Sequence, residues 1–219
     1  MSLLYICWPT VMFEKLKQFI IDTEPTVLSS ATPDYEPHEY RLIVLEDVLT
    51  DEEISFCKLS FNDPNTEKQE VYAHPPETHK IHRQRADFFD IHEISLELQK
   101  TIEPIKEKFN LNGLGIPNTS MWQDSPGFEL FPHCDQKVLN VTMQIYLDND
   151  CDKRCGTTFL KPVFGSEHGE ELLTTYYGKG NGYILLNTNK EMHGMMTTVP
   201  EGQKRTSLYI VFNKSEVIK

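Results

Sequence analysis

Apolar and polar positions alternate most sharply between residues 139 and 148. There Leu139, Val141, Met143, Ile145 and Leu147 interleave with Asn140, Thr142, Gln144, Tyr146 and Asp148. A period of two predicts a strand with one buried face. The opposite face is polar yet rich in neutral hydrogen-bonding groups, where a solvated surface would usually bring Lys and Glu. It suits the lining of a site, an ordinary exposed face being the alternative. Similar short runs occur at Thr119–Gln123, Phe128–Cys134, Thr157–Lys161, Gly182–Asn187 and Arg205–Asn213, separated by Gly, Asn, Asp and Pro. Such punctuation predicts a sandwich or barrel of the jelly-roll type after Leu111.

Before Leu111 the pattern is helical. Phe13, Leu16, Phe19 and Ile20 recur at helical spacing within Val11–Ile21. Ser29–Glu39 reads as loop and Arg41–Leu45 as a strand. Thr50-Asp51-Glu52-Glu53 has the form of a capping box and predicts a helix running to about Ser60. Ile91, Ile94, Leu98, Ile102, Ile105 and Phe109 mark a further helix over Asp90–Phe109, which Pro104 is positioned to kink. Phe61–Arg85, polar and carrying Pro64, Pro75 and Pro76, reads as an irregular functional or mobile loop.

At 219 residues with no linker-like tract, the chain is expected to form one domain, with a helical and loop portion over 1–112 and a β core over 113–215. Its net charge of -12, from 33 acidic and 21 basic side chains, argues against a nucleic-acid partner. The one basic stretch, His79–Arg85, reads as a solvated loop or strand edge. The apolar start lacks a basic leader region and is broken by Pro9, and no run approaches the ~20 apolar residues of a membrane helix, so no membrane partner is expected. Cys7, Cys57, Cys134, Cys151 and Cys155, odd in number and irregularly spaced, do not resemble a disulfide framework, and a reducing cytoplasm is the expected location. Cys151 and Cys155 are close enough in sequence to pair or to share a metal, a weak signal without further ligands.

The candidate chemistry begins with His133-Cys134-Asp135 at the end of a strand-like run. Residues two apart on a strand project to one side, so imidazole and carboxylate could meet one ion. An isolated H-x-D carries little weight, but His193 follows just past the strand Gly182–Asn187. Two histidines and one carboxylate with open positions form the facial triad of non-haem Fe(II) oxygenases. Twelve positions beyond His193 lies Arg205, sharing a strand face with Ser207 and Tyr209. A guanidinium binds a carboxylate through two prongs, and a nearby hydroxyl adds a third contact. An antiparallel neighbour of the ligand strand would bring Arg205 behind the metal.

The ordered set H-x-D, H and R-x-S, with the flanks PGFELFPHCD, QIYLDND, GTTFL, GNGYILLNTNKEMHG and EGQKRTSLYIVF, resembles the Fe(II)/2-oxoglutarate-dependent dioxygenases, within them the prolyl-hydroxylase-like branch. The resemblance covers about Met121–Asn213, and LEDVLTDEEISFCKLS is similar to the family's N-terminal turn and helix. It implies a mainly β fold with flanking helices: a double-stranded β-helix (jelly-roll, cupin-like) core with N-terminal α-helices packed on one sheet. It implies iron ligands at His133, Asp135 and His193, and a salt bridge from Arg205 to the far carboxylate of 2-oxoglutarate, assisted by Ser207 and Tyr146. The implied activity is hydroxylation of a C–H bond with 2-oxoglutarate and O₂ consumed and succinate and CO₂ released; ascorbate is an accessory reductant in such chemistry. Two departures stand out. Gln123 and Asp124 occupy the region where the family often has a tyrosine, and Val211 falls where nucleic-acid demethylases have a second arginine.

Rival readings are a cupin with other metal chemistry, a jelly-roll binding module without catalysis, and a zinc site at His74, His79 and His82. Loops select the acceptor in this family. Here they would include Phe61–Arg85, the turn around Cys151 and Ser166–Leu173, with a prolyl or other peptide residue, or a free amino acid or small metabolite, as acceptor.

Overall fold

A computed structural model describes residues 12–29, 38–71, 83–86, 89–135, 139–161 and 169–213. The alternation at 139–148 forms strand β7 (Leu139–Tyr146), near the middle of an eight-stranded sheet. Its other strands are β1 (Thr26–Ser29), β2 (Glu39–Leu45), β3 (Lys68–Glu70), β4 (Arg83–Ala86), β5 (Asn118–Asp124), β10 (Gly182–Leu186) and β12 (Arg205–Asn213). They run in the order β1-β2-β10-β7-β12-β5-β4-β3, every pair antiparallel. A second sheet, β6-β11-β8-β9, comprises β6 (His133–Cys134), β11 (Met192–Gly194), β8 (Thr157–Leu160) and β9 (Glu171–Thr175). The architecture is the expected jelly-roll core with helices on one sheet.

Pleat periodicity sorts the large sheet into two faces. Ile43, Met143, Ile145, Ile184, Leu208 and Ile210 point outward into one apolar cluster with the helices. Helix α1 (Glu14–Asp22) contributes Leu16 and Ile20, and α2 (Asp51–Asn62) contributes Ile54 and Phe56. From α3 (Phe89–Leu98) and α4 (Ile102–Phe109) come Ile94, Leu98, Ile105 and Phe109. The inner face meets the small sheet through Tyr40, Leu42, Phe159, Tyr183 and Leu185.

The capping box forms as read. The Thr50 side chain accepts from the Glu53 amide, and Glu53 Oε2 accepts from the Thr50 amide at 2.8 Å, an arrangement worth about 1 kcal/mol. The other Glu53 oxygen accepts from the Phe13 amide, which fastens the start of α1 to α2. Pro104 acts upstream of itself. It has no N–H for the carbonyl four residues back, and the helix breaks at a 3₁₀ turn, Gln99–Thr101, before α4 resumes.

Several expectations change. Phe61–Arg85 is not wholly irregular: β3 and β4 form its two described ends and extend the large sheet beyond β5. The strand expected at Phe128–Cys134 is reduced to His133–Cys134, and β1, β9 and β11 add pairings that their short or polar runs did not announce. Arg205 does not sit on a neighbour of the His193 strand. β12 pairs with β5 and β7, so Arg205 enters the interior from the opposite sheet. Cys57, Cys134, Cys151 and Cys155 are free thiols. Cys7, the histidines at 74, 79 and 82, residues 30–37 of the Ser29–Glu39 loop and residues 166–168 of the Ser166–Leu173 loop lie outside the described residues. Among the described residues no helix is long and apolar enough to cross a membrane.

Candidate metal centre and the buried arginine behind it

His133 and His193 lie directly opposite one another in the β6–β11 pair, with ring centroids 4.7 Å apart. The approach depends on Gly194. A Cβ there would lie 2.7 Å from the Leu130 carbonyl oxygen and 2.9 Å from the Pro132 nitrogen, so a side chain would push the two histidine-bearing segments apart. Asp135, just past β6, completes a group of three ligand atoms all within 4.8 Å of one another.

Each imidazole is held in one tautomer. Nδ1 of His133 lies 2.9 Å from the Phe131 carbonyl oxygen, and Nδ1 of His193 lies 3.0 Å from that of Glu191. A carbonyl can only accept, so both Nδ1 atoms carry the proton and both Nε2 lone pairs are left for a ligand, the usual arrangement behind metal-binding histidines. The Nε2 atoms stand 3.6 and 3.8 Å from Asp135 Oδ1. Cis ligands of an octahedral ion with bonds of about 2.1 Å are about 3.0 Å apart, so each histidine–carboxylate separation exceeds that spacing by less than about 1 Å. The other Asp135 oxygen, Oδ2, accepts from Asn187 Nδ2 at 3.2 Å and Thr142 Oγ1 at 3.4 Å, which turns Oδ1 toward the histidines.

Electrostatics follow from this packing. Burial and the neighbouring His133 hold the His193 pKa below the usual imidazole value against the pull of Asp135. For His133 burial also acts downward, but the Asp135 hydrogen bond, the Phe131 carbonyl and the Asp135 charge outweigh it and raise the pKa. Burial would raise the Asp135 pKa, yet the two histidines hold it below the carboxylate range. The set fits a divalent ion such as Fe(II) and leaves half of an octahedral shell open.

Arg205, Ser207 and Tyr146 share the inner face of the large sheet, and all are fully buried. Ser207 and Tyr146 are register partners, and the Arg205 guanidinium carbon lies 5.1 Å from the Tyr146 ring centre. Ser207 Oγ accepts from Gln144 Nε2 at 3.0 Å, and the Tyr146 hydroxyl shares a 2.9 Å hydrogen bond with Thr157. Arg205 Nε donates to the Cys155 carbonyl at 2.7 Å and Nη1 to Asp124 Oδ2 at 2.6 Å. Its Nη2 is buried without a partner among the described residues. An orphaned guanidinium nitrogen is costly in a protein interior, and a ligand carboxylate would satisfy it.

Sequence reasoning missed the group that supports this arginine. Asp124, fully buried, also binds Arg83, accepting from Nε at 2.6 Å and Nη2 at 3.0 Å. The Arg83 guanidinium carbon lies 4.0 Å from the Trp122 ring centre and 4.2 Å from that of Phe128. The described end of the basic stretch read as a solvated loop or edge, Arg83–Arg85, therefore lies on β4 between β5 and β3, and its Arg83 is buried against Asp124. Two arginines and one aspartate leave one net positive charge, so Asp124 does not cancel Arg205 as an anion anchor. The register Arg83↔Asp124↔Arg205 is visible only once β4, β5 and β12 are paired.

No protein-family model and no curated protein matches the sequence. Solved structures do. HygX from Streptomyces hygroscopicus, with nickel and 2-oxoglutarate bound, superposes with a TM-score of 0.57 at 10% identity over 80% of this chain and 83% of its own. A Burkholderia pseudomallei oxidoreductase of the 2OG-Fe(II) oxygenase family gives 0.55 at 12% identity, covering 78% and 84%. A Pseudomonas putida prolyl-4-hydroxylase gives 0.55 at 13% identity, covering 80% and 93%. This chain has the fold of the Fe(II)/2-oxoglutarate oxygenases. In this chain the two histidines lie on the small sheet and Arg205 on the large one.

Proposed function

We propose that the protein is an Fe(II)- and 2-oxoglutarate-dependent dioxygenase that hydroxylates an unactivated C–H bond. The observation that carries this reading is the convergence of His133, Asp135 and His193, both Nδ1 atoms tied back, on an interior shared with Arg205 and its unpartnered Nη2. His133, Asp135 and His193 would hold Fe(II). Arg205, with Ser207 and Tyr146, would hold the far carboxylate of 2-oxoglutarate. When bound, iron and cosubstrate together with O₂ supply the oxidising power for C–H hydroxylation, with succinate and CO₂ released.

The chain's own residues supply position and dryness. Thr142 and Asn187 fix the Asp135 carboxylate, the Phe131 and Glu191 carbonyls fix the imidazoles, and Asp124 fixes the plane of Arg205. Tyr183, Phe159 and Leu185 exclude water from the space between the sheets. The buried charge of Arg205 is far stronger there than in solvent. We place the enzyme in the cytoplasm, in keeping with its irregular cysteine pattern. A peptide residue such as proline and a free small molecule both suit the general chemistry.

Anaerobic addition of Fe(II) and then 2-oxoglutarate should give a weak visible charge-transfer band, and air should then yield succinate. Asp135→Ala should lose both. A wild-type protein with neither band nor succinate would overturn the reading.

A further inference from the structure

The turn between β10 and β11 encloses a carboxylate that belongs to neither the ligand set nor the arginine pocket. Glu191 is 1% exposed, and its two oxygens take four hydrogen bonds. Oε2 accepts from the Thr188 amide at 2.8 Å and from the Lys190 amide at 3.1 Å. Oε1 accepts from Thr188 Oγ1 at 2.7 Å, and His38 Nε2 lies 2.7 Å from it. A carboxylate only accepts, so His38 donates through Nε2. A carboxylate this deep is tolerated because its hydrogen bonds are made. Here they come from its own turn and from the residue that leads into β2.

Both ends of this turn touch candidate ligands. At its start Asn187 Oδ1 accepts from the Asn189 amide at 2.8 Å, while Nδ2 donates to Asp135. Asn189 stands in the left-handed region with φ 64°, where asparagine is better tolerated than most residues. At its end the Glu191 carbonyl accepts the Nδ1 proton of His193. That carbonyl shares one rigid peptide plane with the Met192 amide. The Met192 amide in turn donates to the Tyr40 hydroxyl at 2.9 Å. The plane aimed at His193 is therefore held on one flank by the Glu191 side chain and on the other by Tyr40. His38 and Tyr40, with ring centres 5.7 Å apart, reach it from the same segment.

We propose that Glu191 is a positioning residue for the metal centre: its carboxylate, clamped by Thr188, Lys190 and His38, holds the turn that aims His193 and Asp135 at the ion. The assignment rests on the metal-centre reading above. Glu191 acts through hydrogen bonds rather than through its charge, so glutamine can replace it. The amide oxygen takes the two backbone amides, and the amide nitrogen donates to Thr188 Oγ1 and to a His38 ring in its other tautomer. Alanine instead leaves two backbone amides unpaired and the peptide plane free to rotate.

The test compares Glu191→Ala and Glu191→Gln with the wild type, in the absence of cosubstrate and turnover. Nitrogen NMR of the metal-free protein at about pH 8, where imidazoles are neutral, reads the His193 tautomer. Its signals are assigned by their loss in His193→Gln. The wild type should carry the proton on Nδ1 alone, and Glu191→Ala should show a mixture of tautomers. Calorimetry with Co(II) should find Glu191→Ala at least about tenfold weaker, the scale of losing a partner of a metal ligand. Glu191→Gln should restore both the tautomer and the affinity. A loss of stability alone would leave the tautomer of the folded protein unmoved. Should Glu191→Ala fail to fold, Thr188→Ala and His38→Leu each remove one donor from the same carboxylate and should each weaken Co(II) by at least about threefold. Unchanged affinity and tautomer in the alanine variant, a glutamine variant as impaired as alanine, or unchanged affinity in both donor variants would overturn the assignment, with wild-type Co(II) binding leaving the metal centre standing. No Co(II) binding by the wild type would overturn both.

Discussion

Asp124→Asn isolates the electrostatics of the interior with almost no change in shape. Asp124 is 0% exposed, and its two oxygens accept three hydrogen bonds from two arginines that are 6% and 0% exposed. Asparagine keeps one acceptor oxygen, turns a donor toward a donor, and leaves two buried cations without the anion between them. Breaking a buried pair by removing one partner costs about 3–5 kcal/mol. For a chain of this length each kcal/mol moves the melting temperature by about 2–4 °C, so the metal-loaded variant without cosubstrate should melt about 6–20 °C lower. The same change raises the charge facing the cosubstrate from one net positive to two. 2-Oxoglutarate should therefore recover more melting temperature in Asp124→Asn than it adds to the wild type, because a ligand stabilises by its affinity for the folded state. Differential scanning fluorimetry with Mn(II), with and without 2-oxoglutarate, reads both effects. An unchanged melting temperature, or a smaller cosubstrate shift in the variant, would refute the two-arginine account.

Three further outcomes follow from the metal centre. Gly194→Ala should weaken Co(II) binding by at least about tenfold in calorimetry, since the added methyl displaces the segment that carries His133. Asn187→Ala and Thr142→Val should each cost about 10–100-fold in metal affinity, because each frees Asp135 Oδ2 to rotate. Metal binding needs neutral imidazoles. His133, whose pKa lies above the ordinary value of 6.5, holds its proton to higher pH than free imidazole does, so Co(II) affinity should begin to fall before the pH has dropped to 6.5. Calorimetry between pH 6 and 8 should show that decline, and a flat profile would contradict it.

The parts of the fold that could be read from sequence are those where one residue type repeats a physical constraint. Val141, Met143 and Ile145 alternate with Thr142, Gln144 and Tyr146 because one face meets helices and the other the interior. Thr50 and Glu53 announce a helix because their hydrogen bonds are local. The three candidate ligands were legible as an ordered set, and Ser207 and Tyr146 lie on one face with Arg205. What escaped was non-local. β3 is three exposed polar residues, and β11 is three residues held by β6 and β8, so neither has a periodicity of its own. Arg83 read as part of a solvated basic stretch, and Asp124 only as a departure from the family's tyrosine region. Their burial depends on a register set by strands about forty residues apart.

Tyr40 lies far from the metal in sequence, on β2, yet its hydroxyl donates to the Leu160 carbonyl of the small sheet and accepts from the Met192 amide at 2.9 Å. One phenol thus tethers the N-terminal half of the chain to the residue preceding His193. The two layers are thereby expected to open as one cooperative unit rather than as separate leaves. Hydrogen exchange at the Met192 amide should report the departure of β2, and His193 is anchored by a segment that ends almost ninety residues before His133, the first of the candidate ligands.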